Sequence, residues 1–169
     1  MISEKMQAAF LDQINKEFYS EYLYLSMKAY FLNLNLLGFA NLMDVQVQEE
    51  HAHGMGMYDY VIERGGCVTL EAIEKPESTW ASPLDCFKAI CKHEEYVTSR
   101  INALMDVAEE EKDRAAMIFL NWYLKEQVEE EASVGGVIAQ LELIGDDKSG
   151  LFALDKELAT RVFNPPVIG

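Results

Sequence analysis

Apolar residues recur at spacings of three and four along almost the whole chain, and prolines occur only at 76, 83, 165 and 166, so the pattern predicts long amphipathic helices and no strands. Helix starts are expected at Ser3, Asn35, Ser82 and Asp113, whose side-chain oxygens can accept from first-turn N–H groups. Ser82 is the strongest, with Pro83 in the first helical position and Asp85 completing a capping-box-like pattern. Stops are expected near Leu32, Gly65-Gly66, Glu111 and Gly145. Between Gly66 and Trp80 the period fails, and Pro76, Glu77, Ser78 and Thr79 supply loop chemistry. At about 3.3 Å per extended residue that stretch can run the length of a helix, so the second and third helices are expected to be parallel. The short joints near Asn33 and Lys112 predict two antiparallel hairpins. Leu151, Phe152, Leu154, Leu158 and Val162 predict a fifth, short amphipathic helix, too small to stand alone and expected to pack against a neighbour. The expected fold class is all-α, one domain over 1–169: a four-helix bundle at about 4–145, a long crossover at about 66–82 and a short C-terminal helix at about 148–162.

Polar residues interrupt all four predicted core stripes. The first stripe reads Phe10, Ile14, Glu17, Tyr24 and the second Met43, Val47, Glu50, His53, Met57. The third reads Phe87, Ile90, Glu94, Val97, Ile101 and the fourth Tyr123, Gln127, Glu130, Val134, Val137, Leu141. Counted from the expected caps, the first break on each helix falls 12 to 15 positions in, near mid-helix, where chain direction does not matter. The breaks should therefore meet at one level of the bundle. Their spacing repeats: Glu17 to Glu50 and Glu94 to Gln127 each span 33 residues, and Glu17 to Glu94, Glu50 to Gln127 and His53 to Glu130 each span 77. Buried unpaired carboxylates cost several kcal/mol each and should not cluster unless something positive joins them. A pair of divalent metals would do so. Carboxylate oxygens with one imidazole suit iron or manganese and are usable by zinc, whereas calcium alone would not want His53.

Charge narrows the function classes. Over 169 residues, 14 Lys and Arg face 29 Asp and Glu, a formal charge of −15 with no basic stripe, so nucleic acid is not expected as a partner. At 50% apolar the chain is too hydrophobic for a disordered acidic tail. The opening Met1-Ile2-Ser3-Glu4-Lys5 lacks the regions of a signal peptide, and no apolar run approaches the roughly 20 residues of a membrane helix, so no membrane partner and a cytoplasmic location are expected. Cys67, Cys86 and Cys91 form no Cys-x-x-Cys pair and are expected to be reduced structural thiols.

Glu17, the Glu50-His51-Ala52-His53 pattern, Glu94 and the Gln127-Val128-Glu129-Glu130 run resemble the bacterial non-haem ferritins, over nearly the whole chain. The resemblance implies a ferroxidase that oxidises ferrous iron with dioxygen or peroxide at a di-iron centre and deposits ferric mineral inside a homo-oligomeric shell of 24 subunits. Carried over to this sequence, Glu17, Glu50 and His53 would hold the first iron and Glu50, Glu94 and Glu130 the second, with Glu50 bridging, Gln127 beside the pair and Tyr24 as a redox-active tyrosine. Glu49, Glu126 and Glu129, together with Glu130, would form a third iron site. His51 stands where bacterioferritins carry a haem-ligating Met, so no haem is expected; His51 and His93 are expected to be solvated neighbours. A rubrerythrin-like peroxidase or oxygenase would want a second imidazole or an attached Cys-x-x-Cys domain, and a DNA-protecting mini-ferritin usually brings a basic tail.

Overall fold

Three of the four expected caps form. Ser3 Oγ accepts from Met6 N, Ser82 Oγ from Asp85 N and Asp113 Oδ1 from Ala116 N, each at 3.1 Å. They open α1 (Glu4–Asn33), α3 (Pro83–Glu110) and α4 (Arg114–Ile144) in a computed structural model that describes residues 1–168. The Ser82 hydroxyl also donates to Asp85 Oδ2 at 2.6 Å, so Asp85 holds the cap residue through its side chain.

The start of α2 (Leu37–Glu63) differs from expectation. Asn35 does not cap it; Asn35 takes a left-handed φ of 58° in the turn after α1, a conformation that Asn tolerates, and the N-cap Leu36 offers no side-chain acceptor. The exposed first-turn donors are met from far along the chain, because Asp155 Oδ1 accepts from Gly38 N at 2.7 Å and from Phe39 N at 3.1 Å. Asp155 lies on α5 (Lys148–Leu158), which Asp147 caps in turn. The fifth helix thus packs on α2 of its own chain, with Leu154 and Leu158 buried beside Phe39. It ends at Leu158, short of Val162, and residues 161–168 carry no regular structure.

Contacts along the helices fix the topology. Lys28 pairs with Asp44 and Glu21 with His51 across α1 and α2; Thr98 bonds Glu131 and Lys88 pairs with Glu142 across α3 and α4. Lys5 to Glu110, Asp12 to Arg100 and Ser20 to His93 join α1 to α3 in antiparallel order. With α1 antiparallel to both, α2 and α3 are parallel. The crossover lies along α1: Gln7 accepts from Cys67 N, Asn15 donates to the carbonyls of Glu71 and Ala72, and Ser26 donates to the carbonyl of Glu77.

Two apolar clusters fill the bundle, one around Phe31, Phe39, Phe87 and Leu154, the other around Phe10, Met57, Ile101 and Leu120. Burying each of these large side chains stabilises by about 1.5–3 kcal/mol relative to exposure. A buried polar layer contributed by α1, α2, α3 and α4 lies among these residues and contains Glu17, Glu50, His53, Glu94, Gln127 and Glu130. No helix among the described residues is long and apolar enough to cross a membrane.

Candidate metal centre

One turn of α2 puts Glu50 and His53 on the same face, and α1 brings Glu17 opposite them. One donor atom from each of the three lies within 4.8 Å of the other two, and all three residues are at most 2% exposed. Gln13, one turn before Glu17, donates to Glu17 Oε1 at 2.6 Å and leaves Oε2 without a partner. Glu50 Oε2 and His53 Nε2 are likewise unpartnered, and His53 Nδ1 lies 3.7 Å from Glu50 Oε2. Buried polar atoms are almost always bonded, so three orphans in one cluster mark a place built for a ligand. Two carboxylates and an imidazole are the donor set of a divalent first-row metal. Tyr123 Oη donates to the His53 carbonyl at 2.8 Å and ties this part of α2 to α4.

Glu94 and Glu130 belong to the same layer but not to the close cluster. Glu94 accepts from Tyr24 Oη and, at 3.2 Å, from Gln127 Nε2, which also donates to Thr98 Oγ1 at 3.2 Å. Glu130 Oε2 accepts from Gln46 Nε2 at 3.0 Å. Burial raises the pKa of Glu17, Glu94 and Glu50, and Glu50 rises furthest of the three because the charges of Glu94, Glu17 and Glu130 add to its burial. Burial and then Glu94 push Glu130 up to about 8. The upward shifts favour the protonated carboxyls, so a cation that binds among them displaces protons and is held less tightly as pH falls. Burial and the nearby carboxylates also drive the Tyr24 phenol well above its ordinary value, which keeps it a donor to Glu94.

Glu49 on α2 and Glu126 and Glu129 on α4 line a neighbouring cleft of about 630 Å³ with Trp122 and the tail that follows α5. Their turn away from Glu50 and Glu130 follows from 100° per residue. Glu126 Oε1 lies 4.0 Å from His53 Nε2, so the imidazole stands between the buried cluster and this acidic cleft.

His51 is exposed, as expected, with Nδ1 3.1 Å from Glu21. His93 is not solvated: its Nε2 shares a 2.8 Å hydrogen bond with Ser20 Oγ, the rings of Tyr19, Tyr24 and Tyr96 surround it, and burial lowers its pKa to about 4. The sequence reading also missed Gln13 and Gln46, the amides that orient Glu17 and Glu130. Each sits four residues before a candidate ligand, Glu17 or Glu50, and interrupts the same apolar stripe, which was the available signal.

The family of the ferritin-like domain matches residues 7–144. The chain is 42% identical over 161 residues to a bacterial non-heme ferritin of Bacteroides fragilis, covering 95% of this chain and 100% of that one. It is 39% identical over 164 residues to a bacterial non-heme ferritin of Staphylococcus aureus, covering 97% and 99%. Among solved structures, a closed form of the Archaeoglobus fulgidus ferritin engineered by site-directed mutagenesis superposes with a TM-score of 0.96 at 53% identity, covering 97% of this chain and 100% of that one. An open-pore ferritin from the same archaeon superposes with a TM-score of 0.94 at 54% identity, covering 95% and 98%.

Proposed function

The chain belongs to the ferritin family, and from that premise and the buried cluster we propose that it is an iron-storage ferroxidase of the bacterial non-haem type. The observation that carries the reading is the buried cluster of Glu17, Glu50 and His53, in which a ligand atom of each lies within 4.8 Å of the other two and a carboxylate oxygen of each glutamate has no partner. In this reading Glu17, Glu50 and His53 hold one ferrous ion, and Glu50 bridges to a second held by Glu94 and Glu130. Gln13, Gln46 and Gln127 orient the carboxylates by donating to them. Tyr24 holds a proton at Oη against Glu94, and in this reading it acts as a redox-active tyrosine. Two ferrous ions give up one electron each, and dioxygen takes both with two protons to leave as hydrogen peroxide; where peroxide is the oxidant it takes the two electrons and two protons to become two water molecules. Ferric product then passes to a mineral in the cavity of a 24-subunit shell in the cytoplasm.

Self-assembly draws support from the outer face of α1. There Phe18, Tyr22 and Leu25 border an apolar groove of about 330 Å³ with Ile73 of the crossover, a surface suited to burial against another copy. Anaerobic ferrous titration of the assembled protein, followed by air, tests the whole reading. Two or three equivalents per subunit bound and then rapidly oxidised, at the native mass of 24 chains, are expected. Oxidation no faster than in buffer would refute the ferroxidase, and a dimeric mass would refute the shell.

The third site is tested by a contrast on α4. Glu129→Ala should preserve rapid oxidation of the first two irons while changing the iron-to-oxygen ratio and later turnover. Glu130→Ala should slow the first step about tenfold or more, the cost usual for disturbing a metal shell. Stopped-flow traces in which both variants fail alike, or neither does, would remove the assignment of Glu130 to both clusters.

A further inference from the structure

The tail after α5 is tied down at both ends. Asn41 Nδ2 donates to the carbonyls of Leu158 and Arg161, at 3.2 and 3.0 Å, and Ile168 packs so close to α2 that a Cβ on Gly56 would lie 2.8 Å from its Cδ1. Between these ties the chain passes over the acidic cleft, and Arg161 lines it with Glu49, Glu126 and Glu129. The cleft is more than a cluster of acids, because His53 Nε2, deeply buried and without a partner, faces Glu126 at its inner edge. Arg161 is fixed by its backbone, exposed at its side chain and the cationic residue lining the cleft.

We propose that Arg161 is the resident counter-ion of the third site: its guanidinium neutralises part of the field of Glu49, Glu126 and Glu129 and withdraws when a divalent cation enters. The proposal rests on the third-site reading given above and adds the regulation of that site by the C-terminal strap. A guanidinium has five donors and no acceptor, so it cannot ligate a metal, and its positive charge competes with that of an incoming cation for the field of the three carboxylates. Competition lowers affinity for an incoming cation and speeds the departure of an oxidised one, because the charge left behind is refilled from within the chain. Glu17, Glu50 and His53 do not line the cleft, so the exchange reaches their cluster only through the approach of Glu126 to His53.

The test is calorimetric titration of the assembled, metal-free protein with ferrous iron under anaerobic conditions, comparing the parent with Arg161→Gln, Arg161→Lys and Glu129→Ala. Arg161→Gln should tighten the third equivalent by about five- to tenfold, the effect of one partly screened charge, and leave the first two unchanged. Arg161→Lys should keep the third equivalent within about twofold of the parent, since the charge is retained. Glu129→Ala should weaken or remove that equivalent. If Glu129→Ala removes it while Arg161→Gln leaves it unchanged, the counter-ion role is overturned and the third site stands. If Glu129→Ala has no effect on it, the third-site reading falls and the counter-ion role falls with it.

Discussion

Replacing Glu50 by methionine is expected to lower the initial rate of ferrous oxidation by at least about a hundredfold while leaving the metal-free protein as stable as the parent or more so. The two effects come from one carboxylate. Glu50 is 2% exposed, its Oε2 has no hydrogen-bond partner, and its ionisation is opposed first by burial and then by Glu94, Glu17 and Glu130. Methionine nearly matches its volume, so the variant loses the desolvation and like-charge cost without opening a large cavity, a change typically worth between about 0 and 4 kcal/mol in favour of folding. The parent should recover stability when ferrous iron is added anaerobically, because a ligand that binds only the folded state stabilises it by mass action. The variant should lack most of that gain. Scanning calorimetry with and without iron, beside stopped-flow oxidation, reads both arms. An unchanged rate would remove Glu50 from the bridging position. A lost rate with a markedly less stable metal-free protein would show that the carboxylate supports the fold instead.

What the sequence made legible depended on whether the signal was local. Ser3, Ser82 and Asp113 announced their helices because a cap involves residues only three apart. The parallel course of α2 and α3 followed from the length of the crossover alone. Glu17, Glu50, His53 and Glu94 stood out because charge on an apolar stripe is conspicuous, and the structure brings the first three into one cluster. Gln13 and Gln46 lie on the same stripes and were passed over because an uncharged amide is an unremarkable helix residue. His93 was misjudged because much of its burial comes from Ser20 and the rings of Tyr19 and Tyr24 on α1, which no window of α3 contains. The tail after Leu158 has no period to read, so the position of Arg161 over the acidic cleft was invisible until the chain was folded. Asn35 is the sharpest case: its residue type suits a cap, yet it supplies the left-handed turn, and the acceptor for α2 comes from Asp155 on another helix.

That distant cap makes Gly38→Ala a strongly destabilising substitution outside the polar layer. Helix propensity taken alone predicts the opposite, since alanine is favoured over glycine inside a helix by about 1 kcal/mol. The tertiary contact decides the sign. A Cβ at Gly38 would lie 1.6 Å from the Asp155 carbonyl oxygen and 3.0 Å from Ala159 N, both backbone atoms that no rotamer change can move aside. The helices must separate, and with them go the two bonds from Gly38 N and Phe39 N to the Asp155 carboxylate and the burial of Leu154 and Leu158. Bonds to a charged acceptor are worth about 1.5–3 kcal/mol each, and each leucine about as much, though partial re-docking and water recover part of the loss. A net cost of about 3–5 kcal/mol is expected in denaturant unfolding. Asp155→Ala should cost about 2–3 kcal/mol, because it removes the acceptor but leaves the helices free to stay in contact. Hydrogen exchange should show α5 losing protection in Gly38→Ala while the bundle core around Phe10, Met57 and Ile101 keeps its own, since that cluster lies on the other side of the polar layer. A Gly38→Ala protein as stable as the parent, or less affected than Asp155→Ala, would mean that α5 is not seated on the start of α2 and that another group meets the N–H donors there.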